Sequence, residues 1–244
     1  MSIVLSLSES QALTALRGAL TAMLPSGVEV IKAQQNRVPE PLAGDFVVMT
    51  PILRTRLETN TDMYQDVRFT GSASGVVLTV ESVDFGVLQT AYIPLLFGPT
   101  VTAGTIIADQ TSGSPGGAGT YTISKSQTIA TGELSAGLVG IKQPVQFTVQ
   151  LDVHGPSSGD NAQIISTLLR DIYGADLFAA SGYDVTPLFA GDPHQAPFQN
   201  AEKQTEWRWI CDAQLQVNSI VFAPQQFMDT AIVAVGPPED AYQL

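Results

Sequence analysis

The two histidines of the chain each follow an aspartate by two positions, in Asp152-Val153-His154 and Asp192-Pro193-His194. A carboxylate beside an imidazole can ligate a metal ion or form half of a general acid/base dyad. No third histidine and no cysteine pair accompanies them. Both motifs fall where the sequence reads as a turn, so turn hydrogen bonding is the simpler role. A hydrolase centred on His154 or His194 would still need a metal or a nucleophile from elsewhere. The single cysteine, Cys211, shares an alternating pattern with Trp207, Trp209 and Leu215, which points to burial as a small hydrophobe. Asp212 beside it works against a reactive thiolate. The two tryptophans could stack on bases or sugars, but on an alternating strand they read as core. The glycine-dense stretch Ser112-Gly113-Ser114-Pro115-Gly116-Gly117-Ala118-Gly119 resembles a phosphate-binding loop only in composition, because no Lys-Ser/Thr pair and no helix start follows it. Neither Gly-x-Ser-x-Gly nor His-Glu-x-x-His nor a dinucleotide fingerprint occurs. The expectation is a protein with no catalytic site, no metal site and no cofactor.

The elements that would position these residues are easier to read. From Val145, apolar Val145, Phe147, Val149, Leu151 and Val153 alternate with polar Gln146, Thr148, Gln150 and Asp152, which predicts a half-buried strand with one oily and one wet face. His154-Gly155-Pro156-Ser157-Ser158-Gly159 breaks it. Asp160 is then expected to cap a helix carrying Ile164, Ile165, Leu168, Leu169, Ile172 and Tyr173 on one side, with Gly174 as its stop. Near the start, Ser8 and Gln11 form a capping box for a helix with the stripe Leu13, Leu16, Leu20, Met23 and Leu24. Val28–Lys32 reads as a short strand, and the stretch 34–41 as a polar, proline-interrupted loop. Phe46–Leu53 reads as a buried strand with Pro51 at an edge or bulge, continuing as a polar extension through Arg54 and Arg56. The stretch 178–198 reads as irregular, pinned by Leu188, Phe189 and Phe198, and Glu206–Val217 as a strand broken only at Ile210. From Pro224 a short helix over 224–229 and a strand over 231–235 are expected.

Between Phe69 and Thr131 charge almost vanishes, while glycine and threonine recur among short β-branched runs, as expected of a small all-β module. The flanking strands read as neighbours in one sheet, so the module reads as an insertion: 69–134 inside a domain built from 1–68 and 135–244. The whole chain of 244 residues is 14% charged and 44% hydrophobic, with net charge −12. So little charge implies surface buried against copies or partners. The acidic balance argues against gripping a phosphate backbone. Nor does any apolar run approach the length of a membrane span.

The blocks Gln35-Asn36-Arg37-Val38-Pro39-Glu40-Pro41, Gly44 to Ile52, Asp152 to Pro156 through Ala162, Asp192 to Asn200, and Arg208-Trp209 onward to Asn218 occur in order. Together they resemble the tailed-phage neck or tail terminator family, over 1–68 and 144–226. The resemblance implies an α+β subunit, a mixed or antiparallel sheet flanked by helices, that closes into a ring. That ring, a hexamer, would cap the tail tube, meet the head-completion connector of the neck and, in a contractile tail, the sheath. DNA would pass through its lumen without specific binding and no membrane would be involved. Residues 1–5 lack the basic start and apolar core of a secretory signal, so synthesis in the host cytoplasm is expected. Asn36, Arg37, Arg54, Arg56 and Arg68 are the candidate subunit-interface residues. The inserted module departs from the plain terminator plan, and the alternative role is host-surface or glycan binding through it.

Overall fold

A computed structural model describes residues 3–33, 44–196, 198–199 and 205–225. In chain order the elements are β1 (Val4–Leu5), α1 (Glu9–Met23), β2 (Glu29–Lys32), β3 (Phe46–Arg56), β4 (Thr61–Phe85), β5 (Leu95–Phe97), β6 (Ile107–Gly113), β7 (Gly119–His154), α2 (Ser158–Leu168), α3 (Ile172–Ala180), β8 (Val185–Ala190), β9 (His194–Gln195), β10 (Phe198–Gln199), β11 (Thr205–Glu206) and β12 (Arg208–Pro224). Strand outweighs helix, and the class is a mixed sheet with helices. Contacts divide the chain into two compact units, one centred on residues 5–63 and 140–222, the other on 64–139.

In the first unit the sheet order is β2-β3-β7-β12, with β8 and β9 pairing β12 on its far side. Only β2 and β3 run parallel; β3 is antiparallel to β7, and β8 to β12. Alternation decides which side of this sheet is covered. Phe147, Val149, Leu151 and Val153 of β7 join Cys211, Ala213, Leu215 and Val217 of β12 in one core with Leu13, Leu16 and Leu20 of α1, Ile165 of α2 and Phe178 of α3. The Ser8 capping box forms as expected: Ser8 Oγ accepts from Gln11 N at 3.3 Å, and Gln11 Oε1 accepts from Ser8 N at 2.7 Å. That start turns the leucine stripe of α1 onto the sheet, where Leu16 and Leu20 are fully buried.

Tertiary packing revises several local expectations. Asp160 lies in the first turn of α2, behind an N-cap at Ser157 that makes no side-chain cap bond. The predicted single helix is two. Asp171 starts α3 by accepting from Tyr173 N at 3.0 Å, so the stripe ends at Leu169, and Ile172 and Tyr173 are exposed. Gly174 is no stop but an interior residue of α3. A Cβ there would stand 2.4 Å from Leu168 O, so the close approach of α3 to the end of α2 needs glycine. The stretch after Phe178 is ordered as the end of α3, β8 and β9, and Leu188 and Phe189 are exposed on β8 instead of pinning a loop inward. The wet face of the 145–153 strand is only partly wet, because Thr148 and Asp152 are buried. The helix and strand expected beyond Pro224, and the loop at 34–41, lie outside the described residues.

The second unit is built from strands. A Cβ on Gly71 would stand 2.6 Å from Thr79 O and one on Gly86 2.5 Å from Asp66 O, so β4 folds back on itself about Gly75, whose φ of +64° suits such a reversal. The first half of β7 takes β5 and β6 as antiparallel partners and also pairs β4. Phe69, Leu78, Val80, Leu96, Ile107, Tyr121 and Ile123 form its separate core. The glycine-dense stretch is the β6–β7 hairpin turn, with Gly113 and Gly116 at positive φ.

Candidate subunit interface

Of the five residues expected at a subunit contact, Asn36 and Arg37 lie outside the described residues. Arg54 and Arg56 owe their placement to a bulge. The register of β3 on β7 shifts between Pro51 and Leu53, leaving Ile52 as the extra residue. Before the shift Pro51 opposes Val149 on the helix-covered face; after it Leu53 opposes Thr148, and Arg54 opposes Phe147. Strict alternation would have sent Leu53 inward. The bulge instead exposes Ile52 and Leu53 and carries both arginines to the side of α1. The Arg54 guanidinium lies 4.6 Å over the Phe147 ring and 3.5 Å from Glu9 Oε2, while Lys32 Nζ is 3.7 Å from Glu9 Oε1. Arg56 Nη2 lies 2.7 Å from the amide of Gln143 with that amide's oxygen turned towards it. In the β unit Arg68 is 4.0 Å from Asp66 Oδ2 and 5.3 Å over the Phe85 ring. Every described member of the set is therefore engaged within its own chain, though Arg54, Arg56 and Arg68 all remain exposed.

The residues that could have done chemistry are placed as structure. Neither histidine lies in a turn. His154 ends β7 and stacks on Phe46, ring centroids 4.6 Å apart and planes within 2°, while His194 sits exposed in β9 opposite Ile210. Asp152 is taken up by Arg208, whose Nε donates to Oδ1 at 2.9 Å with Nη2 on the same oxygen, and by Gln150 Nε2 at 3.0 Å from Oδ2. Asp192 pairs with Arg170 at 2.7 Å. Burial, helped by Asp212 and Asp152, pushes the Cys211 thiol up to about 12, so it remains a protonated core side chain. Trp207 departs from the core expectation and is 61% exposed, whereas Trp209 packs partly against the core. Among the described residues no group of three or more His, Cys, Asp or Glu side chains could hold a metal ion. No described helix is long and apolar enough to cross a membrane.

The sequence does not tell which sheet edges are obstructed, and here they differ sharply. The outer edge of β8 is obstructed: Pro187 lies in it, the register on β12 shifts between Gln214 and Leu215, and Arg170 donates to Ala190 O through Nε at 2.7 Å and through Nη2. Among the described residues the outer edge of β2 pairs with no further strand and carries no proline or bulge. Glu29 and Ala33 donate their N–H to Asp45 O and Met49 O, at 3.3 and 2.9 Å. Alternation therefore turns the N–H and C=O of Val30 and Lys32 away from the sheet. Beside that edge runs a groove of about 230 Å³ lined by Ser10, Leu13, Thr14 and Arg17 of α1, by Val30, Ile31 and Lys32 of β2, and by Met49.

Helices back one face of the sheet, and Ile172, Tyr173, Leu188, Phe189 and Trp207 are exposed. The family model described as phage neck terminator protein matches residues 88–238, more than half of the chain. The chain belongs to this family. It is accordingly a structural protein of the phage neck, and its place is the virion. The match takes in most of the β-rich stretch 69–134 and does not extend to residues 1–87. No curated protein matches the chain.

Proposed function

We propose that this neck terminator protein closes into a homo-oligomeric ring, a hexamer, at the junction of neck and tail. The ring ends the tail tube, joins it to the head-completion connector, meets the sheath where the tail is contractile, and lets DNA pass without binding it specifically. The observation that carries this reading is the family match. The surface supports it. A chain with 14% charged residues leaves Ile172, Tyr173, Leu188, Phe189 and Trp207 exposed, the anchors that subunit contacts use. Net charge −12 suits a passage from which DNA must leave as easily as it enters. The stretch 69–134 is read as a module inserted into the terminator domain of 1–68 and 135–244, and Arg54, Arg56 and Arg68, with Asn36 and Arg37, as contact residues.

Light scattering after size-exclusion chromatography tests the reading, on the protein alone and then with tail tube protein added. A ring-sized species in either condition is expected; a monomer in both overturns it.

A further inference from the structure

Within the ring reading, the open edge of β2 decides how copies are joined. We propose that the groove between α1 and β2 receives the segment Thr230–Val235 of a second copy, added as a strand to β2. Four observations carry this. The edge presents the N–H and C=O of Val30 and Lys32 in unbroken register, with no proline or bulge within β2. An edge that pairs with no further strand among the described residues is a template for another strand. The groove beside it has an apolar floor of Leu13, Val30, Ile31 and Met49 and room for large side chains. The sequence 230–235, Thr-Ala-Ile-Val-Ala-Val, is β-prone and free of charge, proline and glycine, and on one face it offers Ile232 between the small Thr230 and Ala234.

Charge agrees. Residues 226–244 carry Asp229, Glu239 and Asp240 and no lysine or arginine, whereas the groove rim carries Arg17 and Lys32. Lys32 shares Glu9 with Arg54, but Arg17 has no carboxylate partner among the described residues. The obstructed β8 edge cannot act as the donor, since Pro187 interrupts it and Arg170 already occupies Ala190 O. A contact of groove to tail joins two different surfaces of one chain, the heterologous kind that repeats around a ring.

The test uses the full chain. Thr14→Cys and Ala234→Cys variants are mixed and oxidised, then run on a non-reducing gel; the buried Cys211 should stay silent. An inter-chain disulfide between the two variants is expected. Its absence, or a Thr14→Cys/Ala234→Cys double variant that closes only within one chain, overturns the proposal. Separately, Ile232→Asp should raise the concentration needed for half-assembly by about tenfold or more, with the melting temperature held within about 2 °C. Lys32→Pro removes an outward N–H without touching the β3 ladder and should act likewise, while Lys32→Ala should act weakly. If Ile232→Asp assembles like the parent chain, the inference fails and the ring reading stands. If the parent chain is a monomer even with tail tube protein, both fall.

Discussion

The two hydrophobic cores of this protein are assembled by different means. In the unit of 5–63 and 140–222, helices cover a sheet; α1 is started by the Ser8–Gln11 box, and its leucine stripe then has one direction in which to be buried. In the unit of 64–139, strands fold on strands, and polar side chains bridge them. Tyr121 Oη donates to Gly117 O at 2.6 Å, Thr102 N to Gln127 Oε1 at 2.8 Å, and Gln127 Nε2 to Thr105 Oγ1 at 3.0 Å. A helix carries its own periodicity and cap, so its orientation is set within a few residues. A β core depends on register between distant segments, so its order is set by pairing and by the polar bonds that lock it.

Substitutions can break or sharpen that contrast. Leu16→Ala empties a fully buried site under α1 and should cost about 3–4 kcal/mol in chemical denaturation, because a helix packed on a sheet cannot collapse to fill the gap. A loss below about 1 kcal/mol would mean that the stripe does not anchor this core. Asp152→Ala removes the buried carboxylate that accepts from both Arg208 and Gln150 on the helix-free face and should cost about 2–3 kcal/mol by the same measurement. An Asp152→Ala/Arg208→Ala double variant should recover part of that loss. In the β core, Tyr121→Phe keeps the buried ring and deletes only the bond to Gly117. A cost of about 1 kcal/mol is expected, with faster amide exchange in the hairpin turn; an unchanged turn would remove the case for polar locking. Ser8→Ala should cost about 1 kcal/mol, and Ser8→Asp should restore most of it.

The smallest effect concerns alkaline pH. Cys211 has its folded value raised from 9.0 to about 12, so the folded state holds a proton that the unfolded state releases. Its contribution is complete below 9.0 and fades as pH rises towards 12. About 1 kcal/mol should be gone one pH unit above 9.0. Cys211→Ala should flatten that slope, and a thiol reagent at neutral pH should label Cys211 only after unfolding.

How far the residues announced this structure follows the same contrast. The α1 cap and stripe, the alternation of β7 and β12, the bulge near Pro51 and the burial of Cys211 are local patterns and appear where expected. Misreadings occur where a distant partner intervened. Gly174 looks like a helix stop until Leu168 O is seen beside it. Leu53 looks buried until the extra residue at Ile52 reverses the phase of β3, the same reversal that lays the exposed Arg54 over Phe147. Trp207 continues the β12 alternation on paper but lies outside the strand. Arg54 and Arg56 stood out as charge in a charge-poor chain, and charge does not reveal that Glu9 and Gln143 already occupy them.

The order of residues by itself determined a helix-and-strand scaffold, because caps and periodicity act over a few positions at a time. Tertiary structure alone decided which sheet edge is obstructed and which, among the described residues, pairs with no further strand, and which arginines are spent inside the chain. Those outcomes depend on groups far apart in sequence meeting at hydrogen-bond distance, and no spacing along the chain encodes that meeting.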